Sequence, residues 1–205
     1  MNTDFYSMVM KHFSYLTTSY GFVVKNVTRS ERRPMTEGRV EFESTTSFVT
    51  VSGEQGAAGA VFGRVQDDKY KYFLSPTAVY EYYSFTESEK RLACSVDPND
   101  DRKIRILAYE KRLVPSETNA NNAAEVIERD LADYSNWLRQ YSEPFLRGDF
   151  SSWLEIYEYK VNRNRSAYAR SGKKEFVPAG SQDKDHRESV FRSSLAYLER
   201  LRKEK

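Results

Sequence analysis

The chain has 205 residues, with 32 Lys and Arg against 30 Asp and Glu, 15 Tyr, 12 Phe, two His and one Cys. That length suits one domain, or a domain with a C-terminal appendage, and the aromatic load excludes wholesale disorder, whose mark is few aromatics and a large net charge. The single Cys excludes an intramolecular disulfide framework, and no apolar run approaches the roughly 18 to 20 residues of a membrane span.

At the N-terminus, Phe5, Met8, Val9, His12, Phe13 and Leu16 share one face of an amphipathic helix over 4–20, which Gly21 stops. His12 lies on that apolar stripe and reads as a packed residue. Asp4, Lys11 and His12 also interrupt the apolar core that a signal peptide would need, so a soluble, cytoplasmic protein is expected. Four segments of strand character follow: "FVVKNVT", "GRVEFES", "SFVTVSG" and "AGAVFGRV". Val40 and Phe42 alternate with Arg39, Glu41 and Glu43, a strand with one wet face, and the short connections favour an antiparallel meander. The Gly-rich "SGEQGAAGAVFG" lacks the Gly-Lys-Ser/Thr of a phosphate loop and reads as a hairpin.

Ser75 as N-cap and Pro76 at the first helical position open a short helix in "SPTAVYEYY". "RKIRILAYE", within 101–112, fits either a strand or a helix; Asp100 and Asp101 as caps favour the helix. Ile127, Leu131, Tyr134, Leu138 and Tyr141 mark a helix over 120–142, capped from Asn119–Asn122 and ended by Pro144 and Gly148. Asp149 then caps a helix expected to begin at Phe150, with Trp153, Leu154, Tyr157, Val161 and Tyr168 facing the core.

Charge is uneven along the chain: net −2 over 1–100, −3 over 101–159 and +7 over 160–205. "KVNRNRSAYARSGKK", residues 160–174, holds six cations and no acid. Helical spacing sets Arg163 and Arg170 opposite the apolar stripe, where solvent is expected, and late cations suit the helix dipole. A polar connector leads to a last helix with Asp185 and Glu188 as a capping pair and a Phe191, Leu195, Leu198 stripe. That helix either folds back or serves a partner. The expected architecture is α+β: an antiparallel sheet of about four strands, packed by N-terminal and C-terminal helices. A domain over 1–170 is followed by a basic connector and helix over 171–205. Its core is expected to hold Phe5, Met8, Phe13, Leu16, Ile127, Leu131, Leu138, Trp153, Leu154 and Val161.

This order of elements, with Leu138, Arg139, Tyr141, Leu146, Arg147, Gly148, Asp149 and Phe150 closing the late helix, resembles a loose group of small bacterial proteins. They share a helix, an antiparallel sheet and a helix ending Leu-Arg-x-Tyr then Leu-Arg-Gly-Asp-Phe. The resemblance covers roughly residues 4–154, with an insertion between Thr86 and Glu117. It implies an immunity or defence-associated protein, and none of its motif residues implies chemistry.

Two distant His and one Cys supply no ordinary zinc set, and neither His12 nor His186 is placed to serve a Ser-His-Asp triad. Carboxylate chemistry would rest on Asp67-Asp68 or Asp97, Asp100 and Asp101, all in turn-like stretches where Asp serves the backbone. No catalytic, cofactor or metal residue is assigned, and no cofactor is expected. The leading expectation is a non-enzymatic protein-binding module using Tyr80, Tyr82, Tyr83, Arg163, Arg170, Lys173 and Lys174, since Tyr gives large contact area at low entropic cost. The alternative is nucleic-acid association through residues 160–205. A carboxylate and metal-dependent enzyme is a second alternative. No membrane contact is expected, and the sequence leaves the oligomeric state open.

Overall fold

The computed structural model describes residues 4–54, 56–67, 72–111, 123–170 and 184–204; Tyr168 and residues 184–191 are described by backbone alone. Its fold is α+β, built on a four-stranded antiparallel sheet. Contacts gather the chain into two units, Met1–Val79 with Glu117–Asp149, and Tyr80–Ser116 with Phe150–Lys205.

The first unit holds the sheet. Asp4 caps α1 (Phe5–Phe13) by accepting from the Ser7 amide at 2.8 Å, and α2 (Tyr15–Ser19) follows after a break at Ser14. The expected helix over 4–20 is thus divided. Gly21, at φ 71°, stops it in the left-handed region that glycine tolerates best. Strands β1 (Val23–Arg29), β2 (Gly38–Glu43), β3 (Ser47–Glu54) and β4 (Ala57–Arg64) pair in chain order. The Gly-rich stretch forms the β3–β4 hairpin, closing at Glu54 opposite Ala57.

Register places Val40 beside Val51, and Phe42 beside Val49, which in turn faces Phe62. These five side chains are buried on one sheet face. Helix α6 (Ala123–Tyr141) packs on β4 and α1, burying Ile127, Leu131 and Leu138. Ser135 Oγ donates to the His12 carbonyl at 2.7 Å, and Ser47 Oγ to the Phe145 carbonyl at 2.6 Å. The opposite sheet face is less wet than alternation predicts: Glu41 and the facing Thr50 are each 7% exposed, and Arg39 Nε lies 2.8 Å from Glu41 Oε1.

The Phe5 ring lies over a pair of facing glycines. A Cβ added at Gly53 would stand 2.6 Å from Phe5 Cε2, and one at Gly38 2.9 Å from Cδ1. The helix expected to end at Pro144 is followed instead by one more short helix, α7 (Glu143–Leu146). Its end is a Schellman motif: the Gly148 amide donates to Phe145 O at 3.1 Å and the Asp149 amide to Pro144 O at 2.9 Å, with Gly148 at φ 86°. The Arg147-Gly148-Asp149 stretch is therefore a helix terminator here.

Helix α3 (Pro76–Ser84) starts as expected, the Ala78 amide donating to Ser75 Oγ at 3.2 Å. The division between the units falls within it. The second unit continues with α4 (Glu87–Ala93), opened by a reciprocal Thr86–Glu89 capping box, and then α5 (Asp101–Glu110). The ambiguous 101–112 segment is thus helical over 101–110. Asp100 gives it no side-chain cap; its carboxylate accepts from Ser95 Oγ at 2.7 Å and Lys103 Nζ at 2.8 Å. Helix α8 (Trp153–Arg170) begins three residues later than expected, which leaves Asp149 four positions ahead of its first residue, and α9 (Lys184–Glu204) ends the described chain. Of the expected core, Leu154 is only half-buried; the other nine residues are buried. The caps expected at Asn119–Asn122 lie outside the described residues.

Leu131→Ala is expected to destabilise the protein by about 2 to 5 kcal/mol, from lost burial and the cavity left behind. Gly53→Ala is expected to cost about 1 to 3 kcal/mol, because the methyl group meets both the Phe5 ring and the Thr36 carbonyl oxygen. Denaturant titration of both variants checks the two values.

Candidate functional site

Helix α8 is packed on two faces. Trp153, Ile156, Tyr157 and Val161 form the apolar one. Trp153 Nε1 donates to the Tyr197 hydroxyl at 2.9 Å, and the Tyr157 and Tyr197 rings meet edge to face at 4.8 Å. Tyr197, Leu198 and Leu201 of α9 are buried, so the terminal helix folds back on α8. Its stripe is shifted from the expected one: Leu195 is 41% exposed, and the Phe191 side chain lies outside the described residues.

The second face is polar, with Tyr159, Arg163, Ser166 and Arg170 stepping by 4, 3 and 4. It meets Glu81 of α3 and the end of α4. Glu81 has no exposed surface. Arg163 Nε lies 2.7 Å from Glu81 Oε2, to which the Tyr159 hydroxyl also donates at 3.5 Å. Glu81 Oε1 accepts no hydrogen bond among the described groups. Burial pushes the Glu81 carboxyl above the usual carboxylate range, outweighing the opposing pull of Arg163 and Tyr159. Burial, and then the neighbouring Glu81, push the Tyr159 phenol up as well. Further along, Ser166 Oγ donates to Cys94 O at 2.7 Å.

Arg170 was expected in solvent, and the structure overturns this: it is 9% exposed. Its guanidinium donates to Asp101 Oδ1 at 3.1 Å, to Ala93 O at 3.4 Å and to Ser95 O. A cation at the C-terminal carbonyls of α4 is where the helix dipole favours one. Arg163 is partly exposed but engaged by Glu81. Lys173 and Lys174 lie outside the described residues, as does the Tyr168 side chain.

The three candidate tyrosines of α3 differ. Tyr80 is half-buried, its hydroxyl donating to Lys111 O at 3.4 Å. Tyr82 stands edge to face with Tyr159 at 5.9 Å and with Tyr83 at 5.3 Å, and Lys90 Nζ lies 4.4 Å from its ring centre. Burial, and then Glu155, raise the Tyr82 phenol above its ordinary value. Tyr83 is 45% exposed, with its hydroxyl 3.1 Å from Ser152 Oγ. Tyr80, Tyr82, Arg163 and Arg170 are thus tied into the second unit's internal contacts, and Tyr83 presents a ring to solvent. The sequence reading missed Glu81 and Tyr159. The signal for Tyr159 was the 4-3-4 step through Tyr159, Arg163, Ser166 and Arg170, the same arithmetic as an apolar stripe but written in polar residues.

The Cys94 thiol is half-buried, and burial pushes it up, which suits an inert thiol. Burial lowers His12, whose Nε2 lies 3.8 Å from Glu128 Oε1. Asp67 is buried 3.6 Å from Arg64 Nε, and Asp68 lies outside the described residues. Burial pushes the Lys160 ammonium down to about 8, and its Nζ lies 5.2 Å from the Tyr157 ring centre. Among the described residues no three His, Cys, Asp or Glu side chains gather in a metal-binding group, and no helix is long and apolar enough to cross a membrane. Comparison with protein-family models, curated proteins and solved structures finds no match to this chain.

Arg170→Ala is expected to destabilise the protein by about 1 to 3 kcal/mol, because it removes the donor to the Ala93 and Ser95 carbonyls; thermal and denaturant unfolding check it. The raised Glu81 carboxyl makes a pH prediction. A folded-state pKa above the unfolded one gives stability that is complete below the ordinary carboxylate range and lost as pH rises through the raised value. Glu81→Gln is expected to flatten that decline in a series of unfolding curves taken upward from pH 4.

Proposed function

We propose that this chain is a non-enzymatic protein-binding module of the immunity or defence-associated kind, acting in the cytoplasm. What supports the reading is the Tyr82–Tyr83 pair. Tyr82 is held by Tyr159, Lys90 and Glu155, and Tyr83 stacks against it edge to face with 45% of its surface exposed. A rigid aromatic anchor of this kind loses little entropy on binding, and such residues carry most of an interface's energy. The bacterial pattern, with no chemistry among its motif residues, is consistent with this reading.

Nucleic-acid association is the second reading. In its favour, the second unit carries 20 Lys and Arg against 15 Asp and Glu. Two of the six cations in 160–174 are, however, engaged by Glu81 and Asp101 inside that unit.

The test recovers the full chain from an extract of its own cells, with and without nuclease. A stoichiometric protein retained after nuclease and weakened about tenfold or more by Tyr83→Ala is the expected result, the size of a hot-spot residue. Recovery that depends on nucleic acid and falls steeply with salt would instead support the second reading.

A further inference from the structure

Helix α5 buries one side and leaves the other open. Leu107 is 7% exposed and packs with Phe85, Ala93 and Leu92. Arg102, Arg105, Ile106 and Tyr109 follow at i, i+3, i+4 and i+7, a sector about 100° wide centred about 150° from Leu107. All four are exposed, Ile106 by 48% and Tyr109 by 70%. Surface helices ordinarily turn polar residues outward. Here Ile106 and Tyr109 stand one turn apart instead, with Arg102 and Arg105 on the turn before them.

The charge around them is positive. Arg102 makes no ion pair among the described residues. The Arg105 side chain, 82% exposed, lies 3.4 Å from Asp101, whose carboxylate already accepts from Arg170. One carboxylate, Asp101, thus serves two guanidiniums, and the face keeps a positive excess through Arg102.

We propose that this face of α5 docks into an apolar groove, edged with carboxylates, on a protein partner. The proposal deepens the protein-binding reading above, on which it rests, by naming a second contact face and the partner's chemistry. Ile106 and Tyr109, three residues apart, have the spacing of neighbouring anchors on a helix laid in a groove, and Arg102 and Arg105 on the preceding turn steer it to an acidic rim. A second copy fits poorly, since a two-fold pairing of this face sets Arg102 and Arg105 against themselves. A phosphate backbone matches the arginines but gives Ile106 nothing to bury against.

The test places photoreactive p-benzoylphenylalanine at position 109, and separately at position 83, in the full chain within an extract of its own cells. The expected adduct at 109 is one protein, cross-linked through a peptide rich in Asp or Glu beside apolar residues. Its yield is expected to fall about tenfold with Arg102→Glu, with Ile106→Glu or in 0.5 M salt, while the melting temperature stays that of the parent. Adducts to nucleic acid or to a second copy at 109 overturn the proposal, as does a protein adduct indifferent to both variants. A protein adduct at 83 with none at 109 overturns this face and leaves the protein-binding reading standing. No adduct at either position overturns both.

Discussion

Glu81 is a carboxylate with no exposed surface, and the second unit is arranged around it. Removing a carboxylate from water is costly unless a cation and hydrogen bonds meet it inside. Arg163 and Tyr159 supply these from α8, and their four-residue spacing fixes which face of that helix turns toward α3. Once that face is set, Ser166 and Arg170 fall on the same line and reach the carbonyls at the end of α4. The apolar residues of α8 then point elsewhere, and α9 covers them through Tyr197, Leu198 and Leu201. One buried charge thus specifies the rotation of a helix that would otherwise read as an amphipathic element with a plain wet side.

The most basic stretch of the chain takes on a different meaning in this arrangement. Two of its arginines act as internal connectors, and the helix dipole and local carboxylates account for their charge. Large side chains open to solvent lie elsewhere in the same unit, as Tyr83 on α3 and Ile106 and Tyr109 on α5. Tyr83 and Tyr109 differ in their support. The first is braced by Tyr82 and Ser152, and the second stands at the outer end of a helix whose inner face is already packed. In the proposed binding role, that contrast makes the first a rigid anchor and the second a steered, charge-dependent contact.

In the first unit the governing relation is steric. Gly38 and Gly53 face each other across β2 and β3, and the Phe5 ring occupies the space their missing side chains leave. That seat brings the start of α1 close to the sheet, where Met8, Val9 and Phe13 can be buried. Ser135 and Ser47 tie α6 and α7 to this layer through backbone carbonyls, which satisfies polar groups that burial would otherwise strand.

Wherever the information is periodic and local, the amino-acid sequence alone was sufficient. The 3.6-residue spacing of α1 and α6, the alternation in β2, the Ser75-Pro76 start of α3 and the stop at Gly148 each depend on neighbours within a few positions. The meander followed from connections too short for a parallel crossover. The candidate site was legible only as a set of residue types: Tyr82, Tyr83, Arg163 and Arg170 stood out by composition, and their roles did not. A polar stripe looks the same from sequence whether water or a buried carboxylate lies opposite it. The partner that decides the matter, Glu81, is 82 residues away from Arg163 and 78 from Tyr159. The burial of Glu41 on the expected wet face and the shift of the α9 stripe from Leu195 to Tyr197 have the same origin. Pattern ranks residues by their own chemistry, and only the fold decides what stands across from them.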